Sequence, residues 1–469
     1  MRKSKKTQQE IVPNELTLLD YESSDYINQS SLEYALSTFD RSLPGIDGFK
    51  NSQRKAIFTL SKISGEIKTV SCAGRVISDG IYLHGDASAS GTLHNLASPV
   101  VNNYPLIGKR GGFGTQVNPT PASPRYTYVK KTKITEAIVL RDMDVVPMQE
   151  NYDGTTMEPK FFLPIIPLVL LGVDGTATAY KSFIFPYRMN DIIDNTIRVI
   201  TGEELQPMTP YYASYGANDY VEDRGEGKYT FFGKAEIIDA STVRITGLAP
   251  RMKLEKFVED LIAMEDSGKI RSYEDNSSGK VDITIKLPRG LATSWKEMDV
   301  LEYFSISTKL AHTLNVLGEN GKVKSYDDVL DIIRDFVHFR FKYYIKRYEK
   351  LLADADAELR YKILVQQCFE NDMTDKIKSF QNRAELVEFV TSLNGEIGAS
   401  EDNIQNIVNY PSYRWTKENY DKVLQEIEDA LAKMEEYGDL LQNHDKIWDI
   451  YKQELLEIRA MNFVVQDDE

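Results

Sequence analysis

A stripe of apolar and aromatic residues near the end of the chain constrains its fold more than any other sequence feature. Its members recur at alternating spacings of four and three: Val423, Ile427, Ala430, Met434, Tyr437, Leu441, His444, Trp448, Tyr451, Leu455 and Ile458. This spacing is the a/d seam of a coiled coil, sustained here over five heptads. A coiled coil needs a second helix, and residues 327–352 carry a matching stripe. We expect residues 321–365 and 420–463 to pair, with residues 366–419 forming a small tip; a long amphipathic helix in an ordinary bundle is the alternative.

The composition is that of an ordinary soluble protein with several domains. The chain has 469 residues, enough for two to four domains, of which 27% are charged and 42% hydrophobic. Cys72 and Cys368 have neither the number nor the spacing of a disulfide framework or a zinc site. The longest apolar run, residues 161–173, contains two prolines and is too short to span a bilayer. Residues 1–10 lack the apolar core of a secretory signal, so we expect a cytoplasmic protein.

Charge is distributed unevenly along the chain. The net charge is −15, which by itself argues against a nucleic-acid partner. Residues 41–140, however, contain 13 Lys and Arg against 5 Asp and Glu, a net charge of +8. Residues 401–469 contain 7 Lys and Arg against 17 Asp and Glu, a net charge of −10. This asymmetry suits a basic face that holds phosphates and an acidic distal part that does not, although charge also fluctuates along chains without any such function.

The order of the local patterns predicts a multidomain α+β protein. Residues 1–27 are polar and are expected to form an arm, or a strand donated to a partner. Residues 28–140 combine short helical patterns with glycine-rich turns, which favours a winged-helix domain. Residues 141–320 are expected to form a neighbouring α/β domain, with strands near 229–232, 243–245 and 281–287, a helix at 254–266 and a turn at 276–279.

The clearest chemistry lies at Arg125 and Tyr126, which follow the glycine-rich segment 111–114. Glycines allow backbone to approach a ligand closely. An arginine beside a tyrosine places a fixed positive charge next to a phenol that can attack an anionic phosphodiester. Phenolate is a better leaving group than a sugar hydroxyl, so the break would be reversible without a nucleotide. Tyr126 is the predicted nucleophile and Tyr128 the alternative; because the chain has 27 tyrosines, the assignment depends on the neighbouring motifs.

These neighbouring motifs follow one another in a recognisable order. They are Arg41-Ser42-Leu43-Pro44, Asp47-Gly48-Phe49-Lys50, Gln53-Arg54-Lys55, His84-Gly85-Asp86, Gly112-Phe113-Gly114, Arg125-Tyr126 and Phe336-Val337-His338-Phe339-Arg340. The series resembles the DNA breakage–reunion subunit of type IIA DNA topoisomerases, the group that includes the gyrase A protein. The resemblance extends over nearly the whole chain. It implies a winged-helix domain, an α/β tower domain, and a long antiparallel coiled coil whose helical tip forms a dimeric exit gate.

The resemblance also implies roles for individual residues. Tyr126 would form a 5′-phosphotyrosine link with DNA, one strand for each copy of the chain, and Arg125 would stabilise charge on the phosphate. The implied DNA-binding residues are Arg41, Lys50, Gln53, Arg54, Lys55, His84, Arg110, Phe113 and Ile184. Ile184 would insert between base pairs and bend the duplex. The chain departs from the family at Gln53, where many members have histidine, and at Tyr82, where gyrase-type members have a first histidine.

Cofactors and other subunits are expected to come from outside this chain. It has no phosphate-binding G-x-x-x-x-G-K-[ST] motif, and Asp142-Met143-Asp144 lacks the accompanying residues of a metal site, so no metal ligand is predicted. The resemblance implies Mg²⁺ held by a partner's TOPRIM domain, ATP used by a partner's ATPase domain, double-stranded DNA and a second copy of this chain. The short length and the lack of further domains are similar to the medium subunit of T-even-like phage topoisomerases.

Two other classes of protein are alternatives to a cleaving subunit. The first is a non-catalytic DNA-bending or scaffold subunit that keeps the fold without the activity. The second is a tyrosine recombinase, which would need a dispersed Arg…His…Arg set with a C-terminal tyrosine, and the chain lacks this pattern. The sequence does not decide between supercoiling and relaxation of DNA.

Overall fold

The computed structural model describes residues 22–82, 85–151, 153–215, 221–461 and 463. Its helices are α1 (Ser23–Ser42), α2 (Asn51–Ser61), α3 (Thr69–Ser78), α4 (Asp86–Ala97), α5 (Met189–Thr201), α6 (Leu254–Asp266), α7 (Glu297–Tyr303), α8 (Val329–Glu370), α9 (Met373–Lys376), α10 (Arg383–Asn394), α11 (Glu401–Val408), α12 (Lys417–Gln442) and α13 (His444–Ala460). In the described part of the chain, no helix is long and apolar enough to cross a membrane.

The strands form small antiparallel sheets between these helices. They are β1 (Ile67–Lys68), β2 (Ile107–Arg110), β3 (Tyr128–Lys131), β4 (Met148–Glu150), β5 (Met157–Pro159), β6 (Val173–Ala177), β7 (Tyr180–Ile184), β8 (Val221–Asp223), β9 (Lys228–Phe232), β10 (Lys234–Asp239), β11 (Thr242–Gly247), β12 (Ser272–Asp275), β13 (Ile283–Lys286), β14 (Ser307–Ala311), β15 (Leu314–Leu317) and β16 (Val323–Tyr326). The sheets run in the orders β1-β3-β2, β10-β11-β13-β12 and β14-β9-β8, with hairpins β4-β5, β6-β7 and β15-β16. The predicted α+β class is confirmed.

The largest core joins the first part of the chain to the long helices. Helices α2, α3 and α4 pack on one another and beside the β1-β3-β2 sheet, the arrangement expected for a winged-helix unit. The core does not end at the predicted boundary of residue 140. The ring of Phe162 lies edge-on to Phe49 at 5.8 Å, and the Tyr451 hydroxyl of α13 donates to the Ile165 carbonyl at 2.8 Å. Residues 161–170 therefore share one core with the predicted first domain and with α13, because their apolar side chains are buried there.

The second core matches the sequence prediction closely. Strands β11 and β13 pair with Val243 opposite Ile285 and Ile245 opposite Ile283, and all four side chains are buried. Such apolar cross-strand pairs stabilise a sheet covered on one face. Helix α6 covers it with Phe257 and Leu261 and spans the predicted residues 254–266. The predicted turn at 276–279 lies between β12 and β13.

Helices α8 and α12 pack side by side in opposite directions. Lys362 pairs with Glu426 and Tyr348 contacts Tyr437, so the residue number rises along one helix as it falls along the other. Their far ends meet in a third core, which contains Cys368 of α8, Val390 of α10, Ile404 of α11 and Val423 of α12. The predicted pairing of the two segments and the small tip between them are thus both present.

The single seam predicted for residues 423–458 is wrong in one respect. Helix α12 ends at Gln442, Asn443 has non-helical angles of φ −122° and ψ 85°, and α13 begins at His444. The interruption shifts the buried face, so that Ile447 is buried whereas His444 is exposed. Helix α13 packs on α5 and on α8 instead of simply extending α12. Of the predicted arm, residues 1–21 lie outside the described residues, and α1 begins at Ser23.

Candidate active site

The turn at residues 123–126 is held against the beginning of α3. The Val70 amide donates to the Pro124 carbonyl at 3.2 Å, and the Thr69 amide donates to the Thr127 carbonyl at 2.9 Å. Amides in the first turn of a helix have no partner within the helix, so carbonyls from another segment can satisfy them. Both flanks of Arg125-Tyr126 are thereby fixed to one helix end, and the two side chains lie at the crest of the turn.

The glycine-rich segment 111–114 supports this turn instead of opening a path to a ligand. Gly111 has φ +104°, and a Cβ there would lie 2.9 Å from the Tyr126 carbonyl oxygen. Gly114 has φ +91°, and a Cβ there would lie 2.5 Å from the Pro119 carbonyl oxygen. The close approach predicted from the glycines is therefore made by the chain's own backbone.

Arg125 and Tyr126 both project into solvent. Tyr126 is 68% exposed, and Arg125 is also exposed. No hydrogen bond or ion pair engages either side chain within the described residues. Tyr128 differs, because it lies within β3 and the Arg110 guanidinium stacks on its ring at 3.8 Å. Of the two predicted tyrosines, only Tyr126 presents an unengaged phenol to an approaching duplex.

A buried hydrogen-bonded chain lies directly behind the turn, and no sequence pattern predicted it. His94 Nε2 is 2.9 Å from Thr127 Oγ1, and the Thr127 hydroxyl donates to Thr69 Oγ1 at 2.8 Å. The three residues come from α4, the turn and α3, so no periodicity or local spacing connects them. All three are buried, and burial lowers the pKa of His94.

Two of the predicted DNA-binding cations are committed to interactions inside the protein. Arg54 is buried and donates to both carboxylate oxygens of Asp47, at 2.7 and 3.0 Å. Lys55 donates to the Ile81 carbonyl at 2.6 Å and pairs with Glu158 at 2.9 Å. Each cation already has a buried carboxylate partner, which does not favour a direct contact of either side chain with a phosphate.

The remaining predicted DNA-binding residues differ in their exposure and in their contacts. Arg41 is exposed, whereas Lys50 and Gln53 are half-buried at the start of α2, where Gln53 Oε1 accepts the Lys50 amide. Arg110 is exposed but paired with Glu66 through three contacts of 2.5 to 3.1 Å. Phe113 is buried edge-on to His94, which contradicts a direct contact with DNA. His84 lies outside the described residues.

Ile184 cannot be the inserting side chain in this arrangement. It is 1% exposed at the end of β7, where it pairs with Val173 and lies in the largest core. The sequence match placed an apolar residue in register with the family, but sequence does not reveal which end of a hairpin faces solvent. At the opposite end of β7, Tyr180 is 40% exposed and lies edge-on to Phe39 at 5.3 Å.

Ile184→Ala should therefore destabilise the protein instead of altering a DNA contact. Truncating a buried isoleucine removes apolar contacts and leaves a cavity, which costs about 2–5 kcal/mol of unfolding free energy. Chemical denaturation measures this loss. Ile238→Ala is the matched control, because Ile238 is 57% exposed and its truncation should cost less than about 0.5 kcal/mol. Equal stability of the two variants would contradict the buried position of Ile184.

The described residues do not form a metal site. No group of three or more His, Cys, Asp or Glu side chains is placed to hold an ion within them. Asp142 of the D-x-D sequence instead accepts from Arg340 and Arg347, while Asp144 is exposed. The two cysteines are free and buried, and burial raises the pKa of each thiol to about 12.

The chain is similar in sequence to known proteins of one family. The sequence model of the family formed by the A subunits of DNA gyrase and topoisomerase IV matches residues 41–456. The chain is 30% identical over 349 residues to "DNA topoisomerase 2" of Candida albicans, 32% over 350 residues to that of Bombyx mori, and 30% over 358 residues to human "DNA topoisomerase 2-alpha". These alignments cover 72%, 71% and 73% of the chain but 24%, 22% and 23% of the relatives. The chain thus spans about a quarter of the length of these relatives.

A solved structure has the same fold. The "topoisomerase II DNA-binding, cleavage and re-ligation domain" of Plasmodium falciparum superposes with a TM-score of 0.82 at 24% identity, covering 95% of this chain and 66% of that chain. The family model and the relatives define the class, which is the breakage–reunion region of a type IIA topoisomerase. Within that class, the chain belongs to the family of the DNA gyrase and topoisomerase IV A subunits.

Proposed function

We propose that this chain cleaves and rejoins double-stranded DNA, with Tyr126 as the nucleophile and Arg125 beside it. The observation that carries the proposal is the exposed Arg125-Tyr126 pair on a turn whose two flanks are bonded to the start of α3. A fixed turn lowers the entropic cost of aligning a nucleophile with a phosphodiester. An exposed phenol at its crest can reach a phosphate without rearrangement of the fold.

The proposed chemistry is a reversible exchange of phosphodiester bonds. The Tyr126 phenol oxygen attacks the phosphorus and loses its proton, while the bond from phosphorus to the 3′ oxygen breaks and that oxygen gains a proton. The product is a 5′-phosphotyrosine and a free 3′ hydroxyl, and the reverse attack restores the strand. Two copies acting on opposite strands would open the duplex, because the two strands are themselves related by two-fold symmetry.

Exposed cations around the turn support a role in holding DNA. Lys68 precedes α3 and is exposed, as are Arg125 and Arg75. No ion pair neutralises these three side chains within the described residues. Arg125 can contact a phosphate through two N–H groups, which suits the charge that develops during attack. These cations, together with Arg41, replace the buried Arg54 in the proposed phosphate-binding surface.

Other subunits complete the proposed enzyme. The described residues of this chain offer no metal site, so Mg²⁺ would be held by the TOPRIM domain of a partner, and ATP would be used by a partner's ATPase domain. A second copy would meet this one through the tip formed by α9, α10 and α11. Passage of a second duplex through the break would then require the whole assembly. An origin in a T-even-like phage stays a prediction.

Reconstitution tests the proposal. The chain is mixed with candidate TOPRIM and ATPase subunits, Mg²⁺ and supercoiled plasmid, and the reaction is stopped with detergent. We expect linear plasmid with protein attached to its 5′ ends, and a return to closed circles if Mg²⁺ is chelated before detergent is added. Bending of the duplex without cleavage under the same conditions would instead identify a non-catalytic DNA-bending subunit.

A further inference from the structure

We propose that His94 is a positioning residue for Tyr126, acting through the hydroxyl of Thr127. This inference rests on the proposed function, because it concerns how the nucleophile of that reaction is held. His94 lies on α4, which begins at Asp86 of the His-Gly-Asp motif. Thr127 immediately follows Tyr126 in the chain. The histidine therefore connects one motif helix to the residue beside the nucleophile.

The direction of the hydrogen bonds follows from counting protons. The Thr127 hydroxyl has one proton, which it donates to Thr69 Oγ1 at 2.8 Å. It can then only accept from His94, whose Nε2 lies 2.9 Å away. Nε2 must carry the proton in that arrangement. The chain of donors runs from α4 through the turn to α3 and leaves the Thr127 side chain in one rotamer.

The backbone of the turn has little freedom once Thr127 is fixed. The Thr127 carbonyl accepts from the Thr69 amide, and the Pro124 carbonyl accepts from the Val70 amide. Gly111 lies so close to the Tyr126 carbonyl that even a Cβ would meet it at 2.9 Å. Tyr126 thus lies between two anchored residues, Pro124 and Thr127, and its carbonyl packs closely against Gly111. Loss of the His94 bond would weaken the anchor on its C-terminal side.

Burying a polar histidine ring at this position costs free energy unless the ring also makes a hydrogen bond. His94 is 7% exposed, and its ring packs edge-on against Phe113 at 5.1 Å and 89°. An aliphatic side chain could fill such a site without burying a polar ring. His94 does not reach the crest of the turn, so it acts through Thr127 and is not itself a catalytic residue. Its effect should appear in the rate of cleavage more than in the affinity for DNA.

The test compares substitutions that keep or remove the donor. His94→Leu removes it, whereas His94→Gln places an amide N–H near the position of Nε2. In the reconstituted assembly, we expect His94→Leu to slow formation of covalent adducts about 10- to 100-fold, as expected when a nucleophile is slightly misplaced. The Kd for duplex should stay within about two-fold, since phosphate contacts dominate affinity. His94→Gln should recover most of the rate.

A double substitution distinguishes positioning from simple packing. Thr127→Val keeps the shape of the side chain and removes the hydroxyl, so it should slow cleavage by a similar factor even if His94→Leu fails to fold. The pair His94→Leu with Thr127→Val should be no slower than Thr127→Val alone, because Thr127→Val already removes the hydroxyl through which His94 acts. Wild-type rates in the folded single variants, or losses that multiply in the double variant, would overturn the positioning role alone. Absence of adducts from the wild-type assembly would overturn the proposed function and the positioning role with it.

Discussion

Tyr126→Phe is expected to abolish covalent protein–DNA adducts and DNA cleavage while leaving the fold and duplex binding intact. The substitution removes only the phenol oxygen that attacks phosphorus. The hydroxyl makes no hydrogen bond within the described residues and the ring is 68% exposed, so stability should change by less than about 0.5 kcal/mol. Detergent-trapped adducts on labelled DNA measure the first effect, and thermal unfolding with fluorescence-anisotropy binding measures the others.

Tyr128→Phe is the matched control for this experiment. Tyr128 lies two residues away at the start of β3, but its ring is covered by the Arg110 guanidinium. Its substitution should leave adduct formation within a few-fold of wild type. Loss of adducts in Tyr128→Phe together with their retention in Tyr126→Phe would transfer the nucleophile to Tyr128.

A buried cluster of charges joins the first domain to the long helices. Asp142 accepts from Arg340 and from Arg347 of α8, the latter at 2.6 Å. Arg347 also pairs with Glu454 of α13 at 2.8 Å, and Glu454 accepts from the Tyr344 hydroxyl at 2.5 Å. Arg340 is fully buried, and its Nε and Nη1 have no partner among the described residues. The Asp142 carboxylate is therefore the main group that neutralises the buried Arg340 guanidinium.

Asp142→Asn is expected to lower the free energy of unfolding by about 3–5 kcal/mol, because removing one partner leaves a buried charge without compensation. The side-chain volume hardly changes, so the loss reports on charge. Urea denaturation monitored by circular dichroism measures it. Asp144→Asn, two residues away and exposed, should change stability by less than about 0.5 kcal/mol. Similar losses in both variants would contradict the pairing of Asp142 with the two arginines.

The same cluster predicts sensitivity to acid. Burial by itself would raise the pKa of Asp142, but Arg340 and Arg347 hold that pKa below its ordinary value. A carboxylate with a lowered pKa contributes its full stabilisation above the unfolded-state value near 4 and loses it as the pH falls through the folded-state value. Wild-type protein should therefore lose stability below about pH 4 more steeply than Asp142→Asn, which no longer has this carboxylate.

The sequence predicted helices and strands well in segments where the apolar residues follow a single helical or strand spacing. Helix α6 and the strands at 229–232 and 243–245 lie where apolar spacing placed them, because one face of each is buried in a core. The interruption at Asn443 was not predictable in this way. The apolar spacing continues across it, and only the contacts of α13 with α5, made in addition to those with α8, show that this segment packs against a second helix.

In the candidate site, the residue types were predictable from the sequence, but the burial of individual side chains was not. The family motif was enough to point to Arg125-Tyr126. These two residues lie on an exposed turn, so their availability does not depend on how distant segments pack. Arg54 and Ile184 carry the expected residue types but are buried, and sequence alone does not show that Asp47 neutralises Arg54 from seven residues earlier. His94 was missed because its partner Thr127 lies 33 positions away in sequence and meets it only after folding.

The residue that becomes linked to DNA is the most direct test of Tyr126 as the nucleophile. The reconstituted assembly is allowed to cleave DNA, trapped with detergent, and digested with nuclease and protease. Mass spectrometry then identifies the peptide that carries the residual nucleotide and the end of the strand from which it came. We predict a nucleotide joined through its 5′ phosphate to Tyr126. A link through another residue, a link to a 3′ phosphate, or an active assembly that yields no linked peptide from this chain would contradict that assignment.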